Sequence, residues 1–290
     1  MNVLVATDGS KYGQWALKWV AKLPLVEPPN VTALHVLDSA WLRLPFRTKL
    51  ETQRVEARAA RTLKKVTKQL RLLKLTGAAR KEQGAVVPTI LKRAPKRNGL
   101  LVVGSQGLDV LDRFTLGSVS TKLIQHAMCP VLVVKGEAVP LRRIALATDG
   151  SPASAKALEF VLSKFQPDRS TRKGRHVPIH VSVIHVIERR PLAPITITSM
   201  IPWNKYPKLK EATHKLIEPS VRKLIEAGFA AEPLCRFGNP AEKIMKVASQ
   251  QHADLIVMGA KGLADIDRFL LGSVSTRVVQ HANCSVLVVQ

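Results

Sequence analysis

Short aliphatic runs alternate with longer amphipathic ones along the whole chain, and the alternation happens twice. In the second half the runs 143–147, 179–187, roughly 231–236, 254–258 and 285–289 read as strands, and 153–164, 207–227, 240–251 and 272–282 read as helices. The first half follows suit, with strands at 2–6, 31–37, roughly 84–87, 100–103 and 131–135. These runs are near-continuous Val, Ile and Leu, the pattern of strands buried on both faces. Strand–helix alternation of this kind implies right-handed crossovers and a parallel sheet.

The two halves also repeat residue by residue. LVVGSQGLDVLDRFTLGSVSTKLIQHAMCPVLVV at 101–134 returns as IVMGAKGLADIDRFLLGSVSTRVVQHANCSVLVV at 256–289, and VLVATDGS at 3–10 returns as IALATDGS at 144–151. The signatures keep their order, so the repeat spans a whole domain. The boundary falls near Gly136–Pro140, giving domains 1–138 and 139–290. So short a connection predicts closely coupled halves. The second half carries two insertions: a polar run at 166–176, expected as a surface loop, and a proline-rich stretch at 188–207. The latter is expected as an irregular loop, either a lid over the ligand crevice or a plain surface excursion.

A length of 290 residues suits two ordinary domains, and 46% hydrophobic with 4% aromatic residues predicts an aliphatic core. No apolar run reaches the roughly 18–20 residues of a membrane span, and no signal peptide is visible, so no membrane insertion is expected. Cys129, Cys235 and Cys284 form no disulfide framework or CxxC pair. Cys129 and Cys284 read as small core residues, and a reducing, cytoplasmic location follows. Charge changes the picture more. With 45 basic against 21 acidic residues the net charge is +24. The densest stretch is 54–74, where basic residues recur at helical spacing. It reads either as a solvated helix face or as a surface for RNA, DNA, polyphosphate or anionic lipid. Aromatic residues are not interleaved with the basic ones, which argues against single-strand stacking.

The candidate chemistry sits in the repeated motifs. Gly104, Gly107, Gly117 and Ser118 in the first half match Gly259, Gly262, Gly272 and Ser273 in the second, with identical spacing. The first glycine of each set ends a strand and the Gly-Ser pair opens a helix. Glycines after a strand let a ligand approach the backbone. A serine at a helix start offers a hydroxyl beside unpaired N–H groups, and together they make an anion cradle for phosphates. Asp8 and Asp149 each follow the first strand in Thr-Asp-Gly-Ser. Each reads as a cap or as a carboxylate at the switch point of the sheet.

On these residues both halves resemble the universal stress protein (UspA) family, and the chain resembles its tandem, ATP-binding members. The G-x2-G-x9-G-S pattern is that family's ATP-binding motif. The resemblance implies two Rossmann-like, open five-stranded parallel sheets of order 3-2-1-4-5, with helices on both faces, related by a pseudo-two-fold. It implies that Asp8 and Asp149 contact the adenine side, and that Val36 and Val186 contact adenine through their backbone. It implies that the glycines and Ser118 or Ser273 hold ribose and phosphates. Val119 and Val274 follow in the same helix turn, and Arg113 and Arg268 fall near the phosphates by position. The ligand implied is ATP, or AMP or ADP, with Mg2+ on its phosphates. The first half departs from the pattern. The second has Gly238-Asn239-Pro240 and Asp254, where the first has Gly84-Ala85-Val86-Val87-Pro88, a shorter helix carrying Pro95, and Gly99. These changes predict a distorted ribose side in the first site and favour the second.

The repeat-matched pairs His35/His185 and His126/His281 read as packed, hydrogen-bonded residues. The pairs Asp109/Asp112 and Asp265/Asp267 read as surface or capping groups rather than metal ligands. No P-loop, H-x-G-H or S-G-G-x-D-S motif is present, and no catalytic residue is identifiable. The leading expectation is therefore a nucleotide-dependent regulatory protein of stress survival. A slow ATPase or autophosphorylating protein, with Ser118 or Ser273 as acceptor, is one alternative. A basic nucleic-acid- or polyanion-binding scaffold with vestigial sites is another. The last strands, 131–135 and 286–290, are apolar sheet edges. In the family such strands pair antiparallel across a dimer axis. Here that contact is expected within the chain, leaving open a further homodimer.

Overall fold

The computed structural model is one continuous ten-stranded sheet covered by helices on both faces. It describes every residue except 43–47, 97, 108–115, 171–175, 189–206 and 263–270. The first half runs β1 (Asn2–Ala6), α1 (Lys11–Lys22), β2 (Asn30–Asp38), α2 (Ser39–Leu42), α3 (Lys49–Leu72), β3 (Thr76–Gly84), α4 (Val86–Arg93), β4 (Leu100–Gly104), α5 (Ser118–His126) and β5 (Val131–Val134). The second runs β6 (Arg143–Ala147), α6 (Pro152–Lys164), β7 (Asp168–Ser170), β8 (His176–Pro178), β9 (His180–Ile187), α7 (Pro207–Glu226), β10 (Ala230–Phe237), α8 (Pro240–Gln250), β11 (Leu255–Gly259), α9 (Ser273–His281) and β12 (Ser285–Val289). Sheet order is β10-β9-β6-β11-β12-β5-β4-β1-β2-β3. Each half is thus a parallel sheet in the order 3-2-1-4-5.

The halves meet where β12 pairs antiparallel with β5, Leu287 opposite Leu132. The two sheets expected from the sequence are therefore fused through the apolar edges that predicted the contact. The pseudo-two-fold stands normal to the sheet. One continuous core lies under α1, α3, α6 and α7, and a second under α4, α5, α8 and α9. The residue after each seam strand reaches into the other half. Lys135 Nζ donates to the carbonyls of Gln280 and Ala282 at the end of α9, and Gln290 Nε2 donates to Ile124 O in α5. Burial pushes the Lys135 ammonium down to about 8 and the neighbouring Cys284 thiol up to about 11. The linker is held as firmly. Trp19 Nε1 donates to Gly136 O, and Ala138 and Leu141 are buried. A further contact joins Leu25 to Phe165 as a β-bridge.

Two elements depart from the sequence reading. The third strand of the first half is not 84–87. It is β3, Thr76–Gly84, and Val86 and Val87 instead open α4. β3 is an edge strand, mostly exposed, pairing only with β2. It has no need of an apolar run, whereas the two valines pack on the sheet face. The polar run 166–176 carries the short antiparallel pair β7·β8 rather than only a loop. Backbone pairing there holds without an apolar face. The lid reading of 188–207 falls almost wholly outside the described residues.

Local chemistry explains how the helices start. Ser10 accepts a hydrogen bond from Gly13 N at the head of α1, and Ser151 accepts one from Ser154 N at the head of α6. Just before them Gly9 and Gly150 take φ of +84° and +80°, a left-handed turn that glycine adopts without strain. That turn swings Asp8 and Asp149 out of the strands and across their carboxyl ends.

Candidate functional site

A cavity of about 380 Å³ opens at the carboxyl ends of the first half's strands, where the sheet order reverses. The ends of β1, β2 and β4 and the first turn of α5 form its walls. Asp8, Val36, Gly104, Gly107, Gly117, Ser118 and Val119, all singled out in the sequence, line it together.

One side of the cavity is an open backbone edge. Leu34 O accepts from Thr7 N, which fixes the edge of β2 that faces β1. Two residues on, Val36 lies on that same edge, past the end of β1. In the second half Ile184 O accepts from Thr148 N, and Val186 lies two residues beyond. The histidine between is structural: His35 Nδ1–H donates to Thr7 O, and His185 Nδ1–H donates to Thr148 O, each at 2.9 Å. Asp8 Oδ1 accepts from Ser10 N at 2.9 Å, as Asp149 Oδ1 does from Ser151 N. The aspartates shape the turn, and Asp8 also borders the cavity.

The other side is a helix start. Gly117 is the N-cap of α5 and Gly272 that of α9, and neither start carries a side-chain cap bond. By contrast α1, α3, α6 and α8 are each capped by a side chain. The first N–H groups of α5, with Ser118 and Val119, therefore face the cavity, together with the positive end of the helix dipole. Ser273 and Val274 occupy the same places on α9. The backbone bonds of the loop framework are duplicated. Ser105 N donates to Val134 O and Gly117 N to Ser105 O, as Ala260 N does to Val289 O and Gly272 N to Ala260 O.

The glycines divide the work. A β-carbon on Gly104 would lie 2.6 Å from Tyr12 Cβ, and one on Gly259 would lie 2.6 Å from the carbonyl carbon of Ala153. The leading glycine of each motif is thus required by strand–helix packing. Gly107 is different: its β-carbon would lie 3.0 Å from Asp8 Oδ2, inside the cavity. Gly262 keeps the matching position in the second half. Arg113 and Arg268 lie outside the described residues, as do the paired aspartates at 109, 112, 265 and 267.

Of the first half's departures from the motif, Val86 lines this cavity, whereas Pro95 and Gly99 lie away from it. Pro95 follows the end of α4 and lines a separate space of about 310 Å³ with Asn2, Asn30 and Arg93, at the amino ends of the strands. Gly99 lies there too, since its β-carbon would meet Pro95 and Asn2 O. Its counterpart Asp254 accepts from Arg142 N and Arg143 N, anchoring the start of β6. Only the Val86 and Ile90 side of α4 borders the larger cavity at the carboxyl ends.

Sequence reasoning passed over Asp38, Gln106 and Ile90, which also line the cavity. A signal for Asp38 was present: His-Val-Leu-Asp at 35–38 returns as His-Val-Ile-Glu at 185–188, an acid closing strand two in both halves. Among the described residues no group of three or more His, Cys, Asp or Glu could hold a metal ion.

A model of the universal stress protein family matches residues 1–135 and again 140–290. A universal stress protein of Mycolicibacterium smegmatis is 29% identical over 315 aligned residues, covering 100% of this chain and 97% of that one. The universal stress protein YxiE of Bacillus subtilis is 28% identical over 154 residues, 51% of this chain and 98% of its own. Among solved structures, a universal stress protein from Archaeoglobus fulgidus superposes with a TM-score of 0.69 at 20% identity, covering 100% of this chain and 96% of that one. That likeness bears on the fold.

Proposed function

We propose that this chain, which belongs to the universal stress protein family through both of its halves, binds ATP or another adenine nucleotide as a regulatory ligand. Each half, 1–138 and 139–290, would carry one site, with Mg2+ held by the nucleotide's phosphates. The protein would act in a reducing, cytoplasmic compartment, a reading supported by three free cysteines. The observation that carries the proposal is a single cavity with an open backbone edge at Val36 on one side and a helix start without a side-chain cap at Gly117–Ser118 on the other. An edge of N–H and C=O groups suits a purine, which offers a donor and an acceptor side by side. Unpaired N–H groups at a helix start suit phosphates. Asp8 and Asp149, held by Ser10 N and Ser151 N, are carboxylates suited to a nucleoside's donors.

The test begins with protein purified without added nucleotide, denatured, and its released small molecules identified and counted by mass spectrometry. ATP is then titrated calorimetrically into wild type, Asp8→Ala and Asp149→Ala. Hydrogen bonds to charged groups are worth about 1.5–3 kcal/mol, so each variant is expected to weaken its own site by roughly 10- to 150-fold. Wild-type affinity in both variants, or no adenine nucleotide bound by wild type under either protocol, would overturn the proposal.

A further inference from the structure

The outer side of α3 is a strongly basic surface. Thr48 and Glu51 form a capping box that fixes where this helix begins. Its inner face is made by Ala59, Thr62, Val66 and Leu70, buried against the sheet. On the opposite side Arg54, Arg58, Arg61, Lys65 and Lys68 follow at i, i+4, i+7, i+11 and i+14, all exposed. That spacing is a straight stripe about 20 Å long at 1.5 Å per residue. Lys64 and Arg71 flank it, also exposed. Among the described residues none of these side chains has a carboxylate within ion-pair distance. The two acids of the helix lie off the stripe, Glu51 being engaged in the cap.

The duplicated half supplies the internal comparison. Its α7 holds the matching place on the same face of the sheet, and its charges are mixed and paired along the helix. Lys215 meets Glu211, Arg222 meets Glu226 and His214 meets Glu218. Like charges at these spacings oppose helix formation, whereas opposite ones support it. The first half thus carries a self-repelling row of cations where the second intersperses carboxylates among its own. A polyanion laid along the row would remove that repulsion.

We infer that the outer face of α3 is a docking surface for double-helical nucleic acid, engaged through its phosphates without reading sequence. Charge complementarity and length fit the sugar–phosphate backbone, which presents anions at regular intervals over any 20 Å of duplex. The stripe has no aromatic side chain to stack on unpaired bases, so a duplex suits it better than a single strand. An anionic membrane suits it less. Helices that lie on bilayers bury an apolar face in lipid, and the apolar face of α3 is already spent on the protein core.

The test measures binding of the full chain to a mixed-sequence DNA duplex and an RNA duplex across salt concentrations. A single strand of the same length and vesicles of anionic phospholipid run alongside. Wild type should bind duplex with affinity that falls steeply as salt rises. The combined variant Arg58→Gln, Arg61→Gln, Lys65→Gln and Lys68→Gln should flatten the slope of log K against log salt by about 3–4, and weaken binding on the order of thousandfold at 0.1 M salt. A control with Lys156→Gln, Lys215→Gln, Arg222→Gln and Lys223→Gln removes as much charge from the second half's side of the same face, and should bind as wild type. Replacing Arg58 and Arg61 by lysine keeps the charge and should keep the binding, with circular dichroism checking the fold of every variant. Equal losses in the α3 variant and the control would overturn the assignment. So would absence of duplex binding, or preference for the single strand or the vesicles.

Discussion

Alanine at Gly259 should damage the fold before it damages ligand binding. The new β-carbon would lie 2.6 Å from Ala153 C, 2.7 Å from Ala153 O and 2.8 Å from Ser154 N. Non-bonded carbons settle at about 3.5–4.0 Å, so the overlap is on the order of an ångström. The opposing atoms are backbone of the first turn of α6, which Ser151 pins in place, so no side-chain rotation can relieve it. Strand β11 is buried along its whole length, leaving it little room to retreat. Overpacking of this kind costs about 1–3 kcal/mol, and the rigid partner puts Gly259→Ala at the upper end, about 2–3 kcal/mol. That corresponds to roughly 3–5 °C in melting midpoint for a chain of 290 residues. The assay is urea unfolding of nucleotide-free protein, with Gly107→Ala in parallel. Among the described residues the Gly107 β-carbon would meet only a side-chain oxygen of Asp8. Its unliganded stability should therefore stay within about 0.5 kcal/mol of wild type, while nucleotide binding weakens. Should Gly259→Ala keep full unliganded stability and lose nucleotide binding, the packing argument fails, and the glycine serves the ligand instead.

The seam gives a second prediction: Leu132→Ala, which empties a buried position facing Leu287, should cost about 2–5 kcal/mol. Because both cores run across the seam, unfolding should remain one transition, and two transitions with one unshifted would contradict the shared core. A third concerns alkaline stability. Burial holds the Cys129 and Cys284 thiols up at about 11 from an ordinary 9.0, so the folded state keeps protons that the unfolded state loses, and stability falls as pH rises through that window. Lys135 works in the opposite sense: pushed down from 10.5 to about 8, it makes the unfolded state the better proton binder between those values. The thiols, with Cys235 also raised by burial, outweigh one lysine where the windows overlap, so stability should fall between pH 9 and pH 10.5, and Cys129→Ala with Cys284→Ala should remove most of that fall. An unchanged pH profile in the double variant would refute it.

The sequence disclosed most where a buried face dictated residue type. β1, β4, β5 and their second-half counterparts are central strands with solid aliphatic runs, and the same runs at β5 and β12 foretold the seam. It misled at β3, where TGAARKEQG is exposed and pairs on one side only, so hydrogen bonding rather than burial makes the strand. The candidate site divides along the same line. Asp8, Gly107, Gly117 and Ser118 were legible because a turn, a close approach and a helix start each need a particular residue. Gly104 was legible as a glycine but not in its reason, which lies in Tyr12, distant in sequence. Nothing near Pro95 or Gly99 shows that they sit at the other end of the strands. That follows only once β3 and α4 are in register.

Joining two copies in one chain changes what each copy must conserve. An apolar edge such as β5 needs a partner strand, and two separate chains would meet that need only as far as their concentration allows. Here a connector of a few residues, with Ala138 and Leu141 buried in the core, holds the partner edge beside it. The contact no longer needs two identical surfaces, and the cross-seam bonds already differ: a lysine reaches α9 from one side, a glutamine reaches α5 from the other. Away from the seam the freedom is larger. The loop bonds from β4 to β5 and from β11 to β12 match, because each must present the same backbone groups at the carboxyl ends of the strands. The outermost elements carry no such duty. There α3 gathers unpaired cations while α7 pairs Lys215 and Arg222 with its own carboxylates, and β3 is polar where β10 is half-buried. Divergence is concentrated where the duplicated fold leaves it unconstrained, so the outer face of the first half is where a role that the second half does not share should be sought.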